Sequence, residues 1–346
     1  ITLNNANLES IGLDAELRID DEGNAYRDLP GQNVTIALEG TNTILSDDRS
    51  ALSANQASVT ITSTAGGTLK LKSTNNYHWY EDGSGEKHPY AFDTVDINGN
   101  LTIAGNAVVD TEIAGAGIRE IFEDGVYLGD QEARLAALRI NEGTLTLKDS
   151  AKLTTTLPAG ARGSGDKLAE DEPLIWDDWF PGGYKGIENA KSVIVQGSAV
   201  LNTQRLELYY TDGGYTQTGG TVTITDIGNS EQRELWENGE QIFENGEPVI
   251  VTATSYRGLA LGGGKANISG GKLDIHVHTR AGDERPTFSG INAENGSIVT
   301  VGGSAAVTIH GTGIGTAVQV YQNSKLNLTG GTLNIQGADI SDESTQ

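Results

Sequence analysis

The sequence predicts an all-β fold, a parallel β-solenoid of about ten rungs, and three observations lead to this prediction. Short runs alternate apolar with small polar residues, which is the pattern of strands that bury one face. Corners that contain glycine separate these runs, most clearly in residues 301–335. The same arrangement recurs along the chain, and short strands joined by tight corners can coil into stacked rungs.

Two kinds of corner mark the repeat. One is a Gly-Gly pair between apolar residues, and the other is one residue longer and carries Gly-x-Ala or a similar sequence. Glycine suits both corners because it adopts backbone angles that a Cβ disfavours. The corners begin at residues 103, 147, 195, 217, 268, 301 and 328. Their unequal spacing indicates that some rungs are bare and that others carry insertions.

Five insertions are expected on one side of the coil. Each follows a strand that comes after a glycine corner, and each precedes a strand that returns to the coil. Insertions at one phase of a solenoid repeat emerge on one side, and neighbouring rungs lie about 4.8 Å apart. We therefore expect loops and hairpins to form a continuous surface, and Asn-Gly turn signals at Asn238 and Asn245 indicate a hairpin over residues 235–251. The insertions lie near residues 73–90, 114–132, 157–186, 227–256 and 279–288.

Aromatic residues point to a function for these insertions. All four Trp residues lie in them, whereas the coil core is expected to use Val, Ile, Leu and Ala. Aromatic rings stack on sugar faces or fill pockets in protein partners, and residues 176–181 combine rings with carboxylates. The alternative is that these rings pack on one another and close the loops. The predicted ligand-binding residues are Trp79, Tyr80, Trp176, Asp177, Asp178, Trp179, Phe180, Tyr184, Trp236 and Phe243.

Composition limits the classes of function. The net charge of −24 argues against nucleic acid as a partner, because such a partner requires a basic surface. No apolar run has membrane-spanning length, and the absence of Cys excludes disulfides and thiolate metal sites. The chain starts at Ile1 within a strand pattern and contains no Met. We expect residues 1–346 to be a single solenoid domain of a larger protein, whose signal peptide and anchor lie elsewhere.

Two kinds of metal site are conceivable, although no cofactor is predicted. Asp274, His276 and His278 should face outward along one strand, and alignment of Leu273 with Val307 places His276 beside His310 on the next rung. Such a set can bind Zn²⁺, but it equally describes an exposed polar strand. Residues 20–24 and 82–86 offer oxygen ligands for Ca²⁺, yet neither stretch completes an EF-hand pattern.

A resemblance supports the solenoid and suggests a setting. Residues 31–44 read Gly-Gln-Asn-Val-Thr-Ile-Ala-Leu-Glu-Gly-Thr-Asn-Thr-Ile, and Ala-Leu-Ser-Ala and Ser-Val-Thr-Ile follow at 51–54 and 58–61. This resembles the repeats of Gram-positive cell-surface proteins that form right-handed parallel β-helices, are related in shape to pectate lyases, and are labelled adhesin or carbohydrate-binding modules. The likeness covers nearly the whole chain through structural motifs. It implies a right-handed coil and an adhesive role at a bacterial cell surface.

Catalysis is the alternative, because many parallel β-helices are polysaccharide lyases or hydrolases. A lyase needs a basic residue as its base, and a hydrolase needs two placed carboxylates. We expect Thr, Asn and Ser at outward strand positions, with no basic groove, and the catalytic motifs of polygalacturonases are not reproduced. The sequence therefore predicts a non-catalytic module that binds a host glycoprotein, such as mucin or immunoglobulin, or a polysaccharide.

Overall fold

A computed structural model describes most of the chain, and its described residues form strands and no α-helix. In these residues no helix is long and apolar enough to cross a membrane. The described residues are 1–13, 17–19, 25–27, 32–74, 77–81, 87–114, 118–123, 126–132, 134–158, 161, 183–234, 236–237, 240–244, 247–279, 287–312, 314–337 and 339–343.

The described strands coil into ten rungs, and each rung contributes one strand to each of three sides. The first side contains Thr2–Asn4, Gln32–Glu39, Ala57–Ser63, Leu101–Gly105, Thr144–Leu147, Ser192–Val195, the first halves of Gly214–Thr225 and Lys265–His278, Ile298–Val301 and Lys325–Leu328. The second side contains Asn7–Leu8, Thr41–Ser46, Thr68–Ser73, Val108–Ile113, Lys152–Thr156, Val200–Thr203, the second halves of the same two long strands, Ala306–Thr312 and Thr332–Gln336.

The third side is made of two parallel sheets placed end to end. The first sheet contains Ile11–Leu13, Leu52–Asn55, Val95–Asn98, Arg134–Ile140 and Gly183–Glu188. The second contains Leu206–Leu208, Ile250–Gly262, Thr287–Glu294, Ile314–Tyr321 and Asp339–Glu343. All neighbouring rungs pair in parallel, so the predicted parallel β-solenoid of about ten rungs is confirmed.

Columns of apolar side chains fill the coil. Val59, Leu101, Leu145 and Val193 are register partners on successive rungs, and at most 2% of each is exposed. Each rung thus removes its alternate apolar residues from water, and burial of apolar area provides the main stabilisation of the fold. The coil depends on this repetition because a single rung cannot bury its own inner face.

The expectation that the coil core contains only aliphatic residues is wrong. Tyr215 follows Val193 in the same column and is fully buried. Its hydroxyl donates to Gln217 Oε1 at 2.7 Å, and Gln217 Nε2 donates to the Lys272 carbonyl at 3.0 Å. The two polar groups satisfy each other inside the core, so their burial avoids the cost of unpaired groups. Tyr256 and Phe288 are also buried near the start of third-side strands.

Glycine occupies a position inside two third-side strands where the second side lies close by. A Cβ on Gly258 would lie 2.2 Å from Ile275 Cγ2, and a Cβ on Gly290 would lie 2.3 Å from Ile309 Cγ2. Both distances are far below a normal contact. Glycine therefore allows the chain to turn from the second side to the third without displacing the core isoleucines.

All five predicted insertions leave the coil at this corner, between a second-side strand and the following third-side strand. Two contain antiparallel hairpins, Tyr77–Glu81 with Lys87–Ala91 and Ile118–Glu123 with Val126–Glu132. The fourth contains Asn229–Glu234 paired with the start of Ile250–Gly262. The single hairpin expected at 235–251 is instead two, one at each predicted turn: Trp236–Glu237 with Glu240–Gln241, and Phe243–Glu244 with Glu247–Pro248.

One further hairpin lies elsewhere. Leu17–Ile19 pairs with Ala25–Arg27 between the third-side strand of the first rung and the first-side strand of the second. It stands at a different corner from the five insertions, which lie at the junction of the second and third sides.

Candidate ligand-binding face

The outer surface of the third-side strands, here called the third face, carries charged residues at positions where small polar residues were expected. Asp96, Arg139 and Glu188 are register partners on three successive rungs. Lys185 and Glu207 lie on the two rungs that follow Arg139. The expectation of Thr, Asn and Ser at the outward strand positions is thus wrong for this side. The apolar residues that alternate with these positions face the coil, so the charges can only point outward.

Arg139 joins two buried carboxylates on the third face. Its Nε lies 2.5 Å from Asp93 Oδ2, and its Nη2 lies 2.8 Å from Glu188 Oε2. The Asp93 and Glu188 side chains are only 6% and 3% exposed. Burial raises the pKa of Asp93 to about 7, although attraction to Arg139 opposes the rise. One arginine between two carboxylates leaves this cluster with an excess negative charge, which a proton on Asp93 can remove near neutral pH.

The two third-side sheets meet between Gly183–Glu188 and Leu206–Leu208, and side chains connect them. Lys185 Nζ lies 2.5 Å from Glu207 Oε2, with both side chains about nine-tenths buried. Gln204 Nε2 donates to the Thr155 carbonyl at 3.0 Å, and the Thr155 hydroxyl donates to Gln204 Oε1 at 2.8 Å. These contacts hold consecutive rungs together at a point where the two strands are not paired as a ladder.

A buried arginine lies behind Glu207. Arg205 Nε is 3.4 Å from Glu207 Oε1 and 3.6 Å from Asp226 Oδ1. Burial alone would raise the pKa of Glu207, but attraction to Arg205 and Lys185 outweighs it and holds this pKa at about 2. Burial raises the pKa of Asp226, whose Oδ2 accepts the Arg257 backbone N–H at 2.6 Å. Glu207 is thus a fixed anion at the surface of a buried charge cluster.

Tyr209 presents an exposed ring beside this cluster. The residue is 45% exposed, and its hydroxyl donates to Glu207 Oε1 at 3.2 Å while accepting from Arg257 Nη1 at 3.5 Å. The ring packs on Gly262 of the next rung, where a Cβ would lie 2.4 Å from Tyr209 Cδ1. Burial of the hydroxyl, together with Glu207, raises the pKa of Tyr209. The polar end of the side chain is therefore held in place while part of the ring stays open to solvent.

Two depressions lie along the third face. The junction pocket, of about 220 Å³, is lined by Lys185, Ile187, Glu188, Asn189, Glu207, Tyr209 and Tyr210. The N-terminal pocket, of about 580 Å³, lies over the first rungs, and its polar lining includes Asp48, Arg49, Ser53, Asn55, Asp96 and Asn98. Concave sites with a few converging polar groups are the usual places for ligand binding.

Only two of the ten ligand-binding residues predicted from the sequence have side chains in the described part of the structure. Trp79, Tyr80 and Trp236 lie on insertion strands whose side chains are outside the described part of the structure, as are the whole residues Trp176, Asp177, Asp178, Trp179 and Phe180. Phe243 is 55% exposed, whereas Tyr184 is 7% exposed. Tyr184 packs with Ile113, Leu135 and Ile227 in a small apolar cluster where insertions leave the coil. A ring buried to that depth offers little of its face to a ligand. Ligand binding by the ten residues together stays a prediction.

The predicted histidine alignment is confirmed. Leu273 pairs with Val307, and the His276 and His310 rings stack with centroids 4.5 Å apart and planes 5° from parallel. Nitrogen lone pairs of parallel stacked rings lie in separate planes and do not converge on one ion, so this arrangement favours an exposed polar strand over a zinc site. Burial, followed by repulsion from His310, lowers the pKa of His276.

Carboxylates gather at one other described place. Ligand oxygens of Glu9, Asp47 and Asp48 lie within 4.8 Å of one another. Arg49 Nε already lies 2.7 Å from Asp48 Oδ1, so one of the three charges is compensated by a cation. The calcium candidates at 20–24 and 82–86 lie outside the described residues.

Sequence reasoning missed the third face, although a signal for it existed. Leu138-Arg139-Ile140 and Leu206-Glu207-Leu208 each place a charged residue between apolar ones, which a solvated loop does not require. Glu188 follows Ile187 at the end of the strand Gly183–Glu188. Alignment of these strands on their inward residues would have stacked Arg139 between Asp96 and Glu188. No protein-family model, curated protein or solved structure matches the chain, so its function has to be argued from this face.

Proposed function

We propose that this chain is a non-catalytic adhesive module of a bacterial cell-surface protein, and that the third face together with the five insertions beside it binds an extracellular ligand. The ligand class is a host glycoprotein, such as mucin or immunoglobulin, or a polysaccharide. One observation carries the proposal. All five insertions lie in the sequence between a second-side strand and the following third-side strand, so they lie along one edge of the third face, and that face holds the two pockets described above.

The charges of the third face support this proposal. Burying an ion costs several kcal/mol of desolvation, which a partner repays only when the geometry is good. Lys185 and Glu207 carry this cost where the two third-side sheets meet, because both side chains are about nine-tenths buried. A binding surface needs such fixed and preorganised polar groups.

A hydrolase is the alternative, because Glu188 and Glu207 line the same junction pocket and a hydrolase uses two carboxylates. Its general acid would have to hold a proton near neutral pH. Glu207 is unsuited to that role because its pKa is about 2. Asp93 has a suitable pKa of about 7 but is 6% exposed and lies beneath Arg139. The pairing of these groups therefore favours binding over glycan cleavage.

A binding screen tests the proposal. The full chain is passed over immobilised mucin, immunoglobulin and a panel of polysaccharides, and saturable binding to at least one is expected. Each of Trp79→Ala, Trp176→Ala and Trp236→Ala is then compared with Leu45→Ala, since Leu45 is 47% exposed on the second side. We expect at least one tryptophan variant to lose about tenfold or more in affinity, as interface aromatics commonly do.

The results of this screen distinguish the adhesive proposal from the enzymatic alternative. If circular dichroism shows the fold intact while a tryptophan variant alone loses binding, the insertions belong to the binding surface. If the chain binds nothing in the panel, or if Leu45→Ala loses as much affinity as every tryptophan variant, the adhesive proposal fails. Release of reducing ends or unsaturated products from any polysaccharide would establish the enzyme instead.

A further inference from the structure

The junction pocket has the size and shape to receive a single ring. Its volume of about 220 Å³ is below the range of about 300–1,000 Å³ that is typical of sites for drug-sized ligands. It opens where the two third-side sheets meet, so strands from both sheets supply its walls. Lys185 and Glu188 come from one sheet, and Glu207 and Tyr209 lie at the first strand of the other.

One wall of the pocket is an aromatic platform. The Tyr209 ring rests on Gly262 and is held at its hydroxyl by Glu207 and Arg257. Because two contacts hold the hydroxyl end and the backbone of the next rung supports the ring, little side-chain entropy remains to be lost when a ligand stacks on it. A fixed aromatic ring that is 45% exposed offers a flat apolar surface to a ligand that also has one.

The other wall is polar, and its charged side chains already take part in ion pairs. Lys185 is paired with Glu207 at 2.5 Å, and Glu188 is paired with Arg139 at 2.8 Å. An ionic ligand would have to compete with these buried pairs, whereas neutral hydroxyl groups can donate to the carboxylate oxygens and accept from the lysine without breaking either pair. Hydrogen bonds to charged groups contribute more than those between neutral groups. The lining therefore suits a neutral polyhydroxylated ligand.

We infer that the junction pocket is a monosaccharide subsite, in which an uncharged pyranose ring stacks on Tyr209 and its hydroxyl groups hydrogen-bond to Lys185 and Glu207. A pyranose combines an apolar face of axial C–H groups with a rim of hydroxyls, which matches one aromatic wall and one polar wall. This inference rests on the proposed function and assigns the ligand class of the same face. It selects the glycan part of a glycoprotein or polysaccharide as what is recognised.

The test follows the Tyr209 ring directly in the full-length chain. The eleven tyrosines are replaced biosynthetically with 3-fluorotyrosine, and the Tyr209 fluorine resonance is assigned by its disappearance in Tyr209→Phe. The probes are the methyl glycosides of glucose, galactose, mannose and N-acetylglucosamine, each raised to about 50 mM, which saturates a site with a dissociation constant of about 1 mM. Sorbitol is the control probe, since it has hydroxyl groups but no ring.

At least one glycoside is expected to shift the Tyr209 resonance saturably, while sorbitol leaves it unchanged. Calorimetry should show an affinity loss of about tenfold or more in Tyr209→Ala, against less than about threefold in Tyr209→Phe, which keeps the ring. Gly262→Ala should also weaken binding, because its Cβ displaces the ring from its support. No shift with any glycoside, an equal shift with sorbitol, or unchanged affinity in Tyr209→Ala would overturn the subsite.

Failure of this inference is distinct from failure of the proposed function. If mucin or immunoglobulin binds the chain and Tyr209→Ala binds it equally well, the subsite is wrong and the adhesive surface remains. If a glycoside shifts Tyr209 but no macromolecule in the screen binds, the subsite stands and the adhesive role is wrong.

Discussion

The outer surfaces of the second and third sides both carry ion pairs, but water reaches only one set of them. On the second side, Lys72 lies 2.7 Å from Glu112, and these side chains are 36% and 41% exposed. On the third face, Asp93 and Glu188 flank Arg139 and are 6% and 3% exposed. Exposed pairs contribute about 0–1 kcal/mol, whereas buried ions cost several kcal/mol of desolvation that their partners must offset.

This difference separates outward positions whose residues the stability of the fold explains from outward positions whose residues it does not explain. The inward columns of the two sides are alike, and aliphatic residues repeat from rung to rung. Burial of apolar area therefore explains the residues at the inward positions of both sides. At the outward positions, the fold requires only residues that keep the surface soluble. Among the described residues, the proposed binding role would give a reason for the buried charges of the third face.

The largest effect is expected from Arg139→Met. Removal of the guanidinium leaves Asp93 and Glu188 buried without their cation, and breaking a buried pair costs about 3–5 kcal/mol. We expect a loss near the lower end of this range, because the Arg139 side chain is 28% exposed to solvent. Urea-induced unfolding should measure the loss. Adding Asp93→Asn and Glu188→Gln to the same chain should restore most of it, since no unpaired charge then remains.

Lys72→Met is the matched control, because it removes an ion pair of similar length from the second side. We expect it to change the free energy of unfolding by less than about 1 kcal/mol, since both partners can return to water. Equal losses in Lys72→Met and Arg139→Met would mean that the two faces do not differ in the way described.

A pH-dependent effect of at most similar size is expected from Asp93→Asn. The pKa of Asp93 is raised, so the unfolded chain ionises first as the pH increases. The folded state therefore loses stability at this site from about pH 4 until about pH 7, where Asp93 itself ionises. At about 1.4 kcal/mol per pKa unit, the loss reaches at most ~4 kcal/mol.

Asp93→Asn abolishes this titration, so its unfolding free energy relative to the wild type should rise across the same interval. Unfolding in urea at a series of pH values measures the difference. Parallel curves for the two proteins would show that Asp93 is already ionised throughout and that its pKa is not raised.

The fold could be predicted because it repeats. Alternation and glycine corners define each rung, and the alignment of Leu273 with Val307 gave the correct stacking of His276 on His310. Local pattern is sufficient for such features because every rung contacts only its neighbours.

The third face could not be derived in the same way, because it depends on contacts between residues far apart in sequence. Arg139 meets Asp93 and Glu188 on three consecutive rungs, and Glu207 meets Lys185 across a gap between two sheets. No local pattern marks that gap. Tyr209 becomes a platform only because Gly262 lies beside it on the next rung, so neither residue indicates the pocket alone.

The most direct test of the third face as the binding surface uses the absence of cysteine from the chain. A single Cys is introduced at Asn98 on the third face, or at Asn267 on the first side, and is coupled to a bulky polyethylene glycol maleimide. Both residues are exposed asparagines on the solenoid strands, so the two labelled proteins differ mainly in the face that is covered. Binding to the mucin, immunoglobulin or polysaccharide identified in the screen is then measured. We expect the polymer at residue 98 to abolish binding and the polymer at residue 267 to leave it within about threefold; loss at residue 267 with retention at residue 98 would contradict the account.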